Sequence, residues 1–260
     1  MRIALIIVFC SVVPAAEAFR SSRIVLTNSM VAKRRNHVTY KIVMNANNAA
    51  VEAGIGDEGC KLPAPSKVNT LPVPAQAAVV VAIFTGLYVS TMALISGVES
   101  LKELAPGIML PWMSTWPILG AFFAAAGVAH FSIKDAFINM YPARGAWGFW
   151  YLPGSKAFHV AWTGVAELLF GSWMVLGALT KALGVTVLPT FLPRGDPVSE
   201  SALALLVLTA LVTPANIYMY THGAKLLGSP DIPVSGHAFR GFMQALLLCL
   251  FYEMALPVIS

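Results

Sequence analysis

The stretch Ala77–Ser96, AAVVVAIFTGLYVSTMALIS, carries no Asp, Glu, Lys or Arg. About 20 residues at about 1.5 Å each reach the roughly 30 Å thickness of a bilayer's hydrocarbon core, so the stretch predicts a membrane-spanning helix. Four further apolar blocks follow it. Pro117–Phe131 is led in by Leu110–Trp116, with Trp112 and Trp116 as interfacial anchors; then come Phe158–Leu179, Ser201–His222 and His237–Leu256. Pro- and Gly-rich turns at 189–197 and 228–236 separate the last three. The whole chain is 57% hydrophobic and 11% charged, against about 25% charged in an ordinary soluble domain. The fold class predicted is an all-α membrane protein, a four-helix bundle over 117–256 preceded by one additional transmembrane helix at 77–96. A net charge of +5 invites a nucleic-acid reading, but the basic residues neither cluster with aromatics nor sit on a soluble module, so no nucleic-acid partner is expected.

The first fifty residues read as an address. Met1 and Arg2 precede the apolar run Ile3–Val13, and Ala16-Glu17-Ala18 offers small residues where a signal peptidase needs them, which makes 1–18 a signal peptide. Residues 19–45 follow as a transit peptide: Arg20, Arg23, Lys33, Arg34, Arg35 and Lys41 occur there with no acid. A signal peptide followed at once by Phe19 and a basic, acid-free stretch resembles the bipartite plastid presequence of algae with secondary, red-lineage plastids. That resemblance implies a plastid membrane, thylakoid or inner envelope. Residues 46–76, rich in Gly and Pro among mixed charges, are expected to form a flexible tail.

Lys and Arg counted on alternate sides of the spans favour the N-terminal side, with Lys61, Lys67, Lys134, Arg144, Lys156, Lys225 and Arg240 against Lys102, Lys181 and Arg194. The positive-inside rule then places the mature N-terminus in the stroma. On that same side, His130, His159, His222 and His237 fall at the ends of four helices. Counting inward, Glu167 lies about 12 Å below His159, Gln244 about 10 Å below His237 and Asn216 about 9 Å below His222. Glu167, Asn216, Arg240 and Gln244 are thereby read as one polar layer, with Arg240 placed to pair with Glu167 across the bundle. An ionisable residue within a membrane costs about 2.5 to 3.5 kcal/mol on insertion scales, so Glu167 is expected to face the interior and to have a partner. Such a layer suits a lipophilic ligand bearing carbonyl or hydroxyl groups, and a quinone fits that description. The bland reading of Asn216 and Gln244 is interhelical glue. The bland reading of the histidines is interfacial anchoring.

No metal is expected, because no His-x-x-x-His or Glu-x-x-His spacing puts two ligands on one helical face. Haem needs only two axial histidines, so these four leave it open. Pro214 frees the carbonyl near Ala210 and is expected to kink its helix beside Asn216. Tyr141–Pro153, with Trp147, Phe149, Trp150 and Tyr151, reads as an interfacial aromatic loop or a docking surface for a partner subunit. Cys249 reads as a buried thiol, and Glu253, near a helix end, is assigned no role.

From Gly127 to Leu256 the residues form a pattern: Gly127-Val-Ala-His130-Phe131, Trp162-Thr-Gly164-Val-Ala166-Glu167 through Gly171, Pro214-Ala-Asn216-Ile-Tyr-Met219, and Arg240-Gly-Phe-Met-Gln244. This resembles the DoxX-like family of small four-helix membrane proteins. The resemblance implies that His130 closes the family's first helix, Glu167 sits in its second, Pro214 and Asn216 end its third, and Arg240 and Gln244 open its fourth. The helix at 77–96 and the long loop at 132–157 depart from it. Two functions are therefore expected: binding of a quinone or other isoprenoid lipid in support of a membrane redox reaction, or a non-catalytic subunit or assembly role in a plastid membrane complex. Whether the chain is an enzyme stays open at this point.

Overall fold

The computed structural model describes residues 63–185, 188–225 and 231–259. The signal and transit segments, and the tail as far as residue 62, lie outside them. The elements are α1 (Val73–Leu104), α2 (Pro106–Met113), α3 (Leu119–Ser132), α4 (Lys134–Met140), α5 (Lys156–Ala182), α6 (Pro197–His222) and α7 (Val234–Ile259), with short 3-10 turns at Val68–Thr70, Trp116–Ile118 and Ala146–Gly148. Five spans are long and apolar enough to cross a membrane: α1, the run Pro106–Ser132 made of α2, a turn and α3, then α5, α6 and α7. The all-α, five-span architecture expected from the apolar blocks is the one observed.

Helices α3, α5, α6 and α7 form the bundle. α3 packs on α5, α5 on α6, and α6 on α7, and Phe123 of α3 meets Phe251 of α7 edge to face at 5.1 Å to close the ring. Leu119, Met174, Leu205, Leu208 and Phe251 fill its core. α1 lies outside against α7.

The α3–α5 crossing is built on missing side chains. Gly120 and Gly127 sit seven residues apart on α3, and Gly164 and Gly171 do the same on α5, so each pair returns to one face every two turns. A Cβ at Gly171 would lie 2.5 Å from the Ala124 nitrogen and the Gly120 oxygen, and one at Gly127 2.5 Å from the Leu168 nitrogen. Only hydrogen fits between these backbones, which is how small residues let membrane helices approach.

α6 is defined at both ends. Asp196 accepts from the nitrogens of Val198 and Ser199, the Ser199 hydroxyl accepts from the Asp196 nitrogen, and Pro197 takes the first helical position. Gly223 ends the helix in the left-handed region at φ 73°. The helix stays helical across Pro214.

Three expectations change. α1 runs past Ser96 to Leu104, because its charged end is held: Lys102 is ion-paired with Glu253 of α7, whose side chain is fully buried. Glu253, given no role from sequence, thus ties the additional helix to the bundle. Residues 63–76 do not behave as a flexible tail. Ala64 and Val68 are buried, and the Ser66 hydroxyl donates to the Tyr220 carbonyl at 2.6 Å, fastening this segment to the end of α6. Finally, Trp147 of the aromatic loop points inward with 2% of its surface exposed. It adopts φ 56° between Gly145 and Gly148, donates its indole N–H to the Thr221 hydroxyl at 2.9 Å and packs edge-on against Tyr218. Phe149 and Tyr151 remain exposed, so only the flanks of the loop are interfacial. Trp147 itself plugs one end of the bundle.

Candidate functional site

The residues expected in one layer fall into two groups at different helix interfaces. In the first, between α3 and α5, His130 Nδ1 lies 2.9 Å from the Ala126 carbonyl and 3.2 Å from Glu167 Oε2. A carbonyl only accepts, so Nδ1 carries the proton and directs it to Ala126. Glu167 Oε2 is left beside the ring with no well-aligned donor among the described residues. Both side chains are buried. Phe137 of α4 stacks on the imidazole at 3.9 Å, and the glycine crossing presses the ring's Cβ against Gly164.

The second group joins α6 to α7. Arg240 Nη2 donates to Asn216 Oδ1 at 2.6 Å and approaches Met219 Sδ at 3.2 Å. Asn216 Nδ2 donates to Gln244 Oε1 at 2.7 Å, and Gln244 Nε2 donates to the Thr213 hydroxyl at 2.9 Å and the Thr209 carbonyl at 3.1 Å. Every hydrogen bond in the relay points away from the guanidinium. The Thr209 carbonyl immediately precedes that of Ala210, which loses its intrahelical donor at Pro214. The expected Arg240–Glu167 pair is absent. Glu167 faces His130 of α3, whereas Arg240 faces Asn216 of α6, and depth counted along the chain says nothing about which way a helix turns a residue.

The four histidines do reach the ends of their helices, but each is held by its own surroundings. His159 stacks on Tyr141 at 4.9 Å. Its Nδ1 receives the Trp162 indole N–H at 3.1 Å, so its Nε2 bears the proton and donates to the Pro153 carbonyl at 2.8 Å. His222 stacks on Tyr218 at 4.5 Å, with Nδ1 2.9 Å from the Thr221 hydroxyl. His237 lies edge-on to Tyr220 at 5.5 Å. Among the described residues no three His, Cys, Asp or Glu side chains gather as a metal site. Outside the spans, burial pushes the Tyr141 phenol above its ordinary value of 10.0, so it stays neutral at physiological pH.

No family of proteins, no curated protein and no solved structure matches the chain. The chemistry must therefore be read from these side chains alone.

Two cavities bear on it. A cleft of about 10 Å³ beside Met219 and His237 borders the Arg240 network, room for an atom group the size of one water. A larger groove of about 530 Å³ runs along α5 and α6. Thr209, Thr213 and Met219 complete the α6–α7 network and were not expected. For the two threonines the signal in sequence is the spacing 209, 213, 216 that they share with Asn216, which keeps to one helical face. Glu200, in the first turn of α6, was also missed; it falls one residue before the span predicted from Ser201.

Proposed function

We propose that this chain is a DoxX-like plastid-membrane protein that binds a quinone or related carbonyl-bearing isoprenoid lipid at the α6–α7 network, in support of a membrane redox reaction. One observation carries the reading. Arg240 lies about 9 Å inside the start of α7, carries five N–H donors, and among the described residues engages only the neutral Asn216 Oδ1 and Met219 Sδ, both through Nη2. Gln244 Nε2 uses both of its hydrogens on α6, at the Thr213 hydroxyl and the Thr209 carbonyl. Arg240 is not so committed. A cation in a span with spare donors suits a ligand that supplies acceptor oxygens and tolerates hydrocarbon surroundings, and a quinone carbonyl does both. In this reading the ring and prenyl tail lie along the lipid-facing side of α7, where Phe239 and Phe242 are exposed. Titration of the purified protein with a short-chain ubiquinone or plastoquinone analogue tests this: saturable binding is expected, lost in Arg240→Met and weakened in Arg240→Lys, which keeps the charge but not the planar fork. Equal binding by all three forms would sink it.

A second reading, a non-catalytic subunit or assembly factor, is favoured by α1. Its outward face exposes Val81, Tyr88 and Val89, and a Cβ at Gly86 or Gly97 would meet nothing, so this face of the helix has room for a neighbour. Co-migration with a large complex on native gels supports it, and migration as a free monomer opposes it. The compartment is tested separately: residues 1–51 fused to a fluorescent protein should carry it into a plastid.

A further inference from the structure

The α5–α6 groove lies on a different face of α6 from the Arg240 network. Trp162, Ala166 and Phe170 of α5 form one wall, Leu203, Ala204, Val207 and Leu211 of α6 form the other, and Phe191 and Leu192 of the connecting loop close one end. Both helices are membrane spans, so hydrocarbon, not water, faces this opening. Its about 530 Å³ lies within the range of about 300 to 1,000 Å³ usual for small-molecule sites. From Glu200 to Leu211 the α6 wall rises about 16 Å along the helix.

The closed end carries a polar group that nothing described completes. Glu200 lines the groove there with 9% of its surface exposed. Its Oε1 accepts from the backbone nitrogens of Phe191 and Leu192, both at 2.7 Å, which fixes the two residues that seal the groove. Its Oε2 is buried with no hydrogen-bond partner among the described residues. A buried acceptor left unpaired carries its desolvation penalty uncompensated, so the site is complementary to a group that brings a hydrogen. Because Glu200 begins a span, that group sits near the membrane interface while the groove leads inward along apolar walls. This is the arrangement of a single-chain lipid with a hydroxyl head.

We propose that the groove binds one acyl or isoprenoid chain whose terminal hydroxyl donates to Glu200 Oε2. The site is independent of Arg240. A head that offers only acceptor oxygens, or an anionic phosphate, meets Glu200 acceptor to acceptor and is disfavoured.

The test uses the purified full-length protein in nanodiscs and a long-chain primary alcohol carrying a diazirine in its chain, beside the matched methyl ether. The alcohol is expected to label Phe170, Ala204 or Val207 and to outcompete the ether about tenfold, the worth of a hydrogen bond to a carboxylate. Ala204→Trp, which fills the groove and leaves Glu200 in place, should abolish labelling by both probes. Glu200→Gln, which exchanges the free acceptor for a donor, should erase or invert the preference. Equal labelling by alcohol and ether in the wild type, or labelling undiminished by Ala204→Trp, overturns the proposal. Quinone binding by Arg240 is unaffected by either Ala204→Trp or its failure, so the two sites are judged separately.

Discussion

The α3–α5 crossing and the contacts of α7 hold helices together by different means. At the first, four glycines remove side chains until backbones touch, and a polar pair, His130 and Glu167, is enclosed by that proximity. α7 adds polar ties to its apolar packing, reaching α6 through the Arg240–Asn216–Gln244 relay and α1 through the Lys102–Glu253 ion pair. In hydrocarbon there is no hydrophobic drive between helices, so either close van der Waals packing or hydrogen bonding must supply it. The glycine crossing relies on the first, and α7 adds the second. The difference has a functional consequence: a glycine crossing has no room for a ligand, whereas a polar relay ends in a group with bonding capacity to spare.

The largest effect is expected at Lys102. Lys102→Met leaves Glu253 buried and without its partner and is expected to destabilise the protein by about 3 to 5 kcal/mol, with most of the loss recovered when Glu253→Leu is added. Thermal unfolding in detergent reads both, and an unchanged midpoint for the single variant would mean the pair does not bind α1 to α7. At the glycine crossing, Gly171→Ala drives a methyl into the α3 backbone and should cost about 1 to 3 kcal/mol. Gly86→Ala on the open face of α1 should cost nothing, and Ala's better helix propensity should add about 0.5 to 1 kcal/mol. Equal effects at the two glycines would refute the crossing. The mildest change sharpens the relay. A double-mutant cycle with Asn216→Leu and Gln244→Leu should give a coupling of about 0.6 kcal/mol, the average for interhelical hydrogen bonds in membranes, and a coupling of zero would mean the two amides do not meet.

How much of this was legible in the chain depended on the coordinate concerned. Apolar runs gave the five spans, because crossing a bilayer sets a length that residues can be counted against. Their ends were less clear: α1 continues through Glu99, Lys102 and Glu103, and Lys102 there meets Glu253, far away in sequence. Depth within the bundle was also countable, and Asn216, Arg240 and Gln244 do meet. The direction each residue faces around its helix was not, and for that reason Glu167 was expected opposite Arg240 but lies against His130. The aromatic loop shows the same limit. Composition marks it as interfacial, yet the left-handed backbone at Trp147, flanked by two glycines, turns the indole inward to Thr221, and no local pattern announces that. Gly127, Gly164 and Gly171 stood out in the family-like pattern, while their purpose emerged only from the helices they bring together.

Retention of a carbonyl-bearing lipid by the spare donors of Arg240 is the proposal on which the α6–α7 site stands. It is tested most directly by mass spectrometry and absorbance of the protein purified from its own membranes in mild detergent, wild type beside Arg240→Met, both confirmed folded by thermal scan. The claim predicts a prenylquinone that co-purifies with the wild type and falls at least about tenfold in the variant, the loss expected when a charged hydrogen bond is removed. A wild type without quinone, or quinone retained equally by both proteins, would contradict it and leave the α6–α7 relay as a structural tie alone.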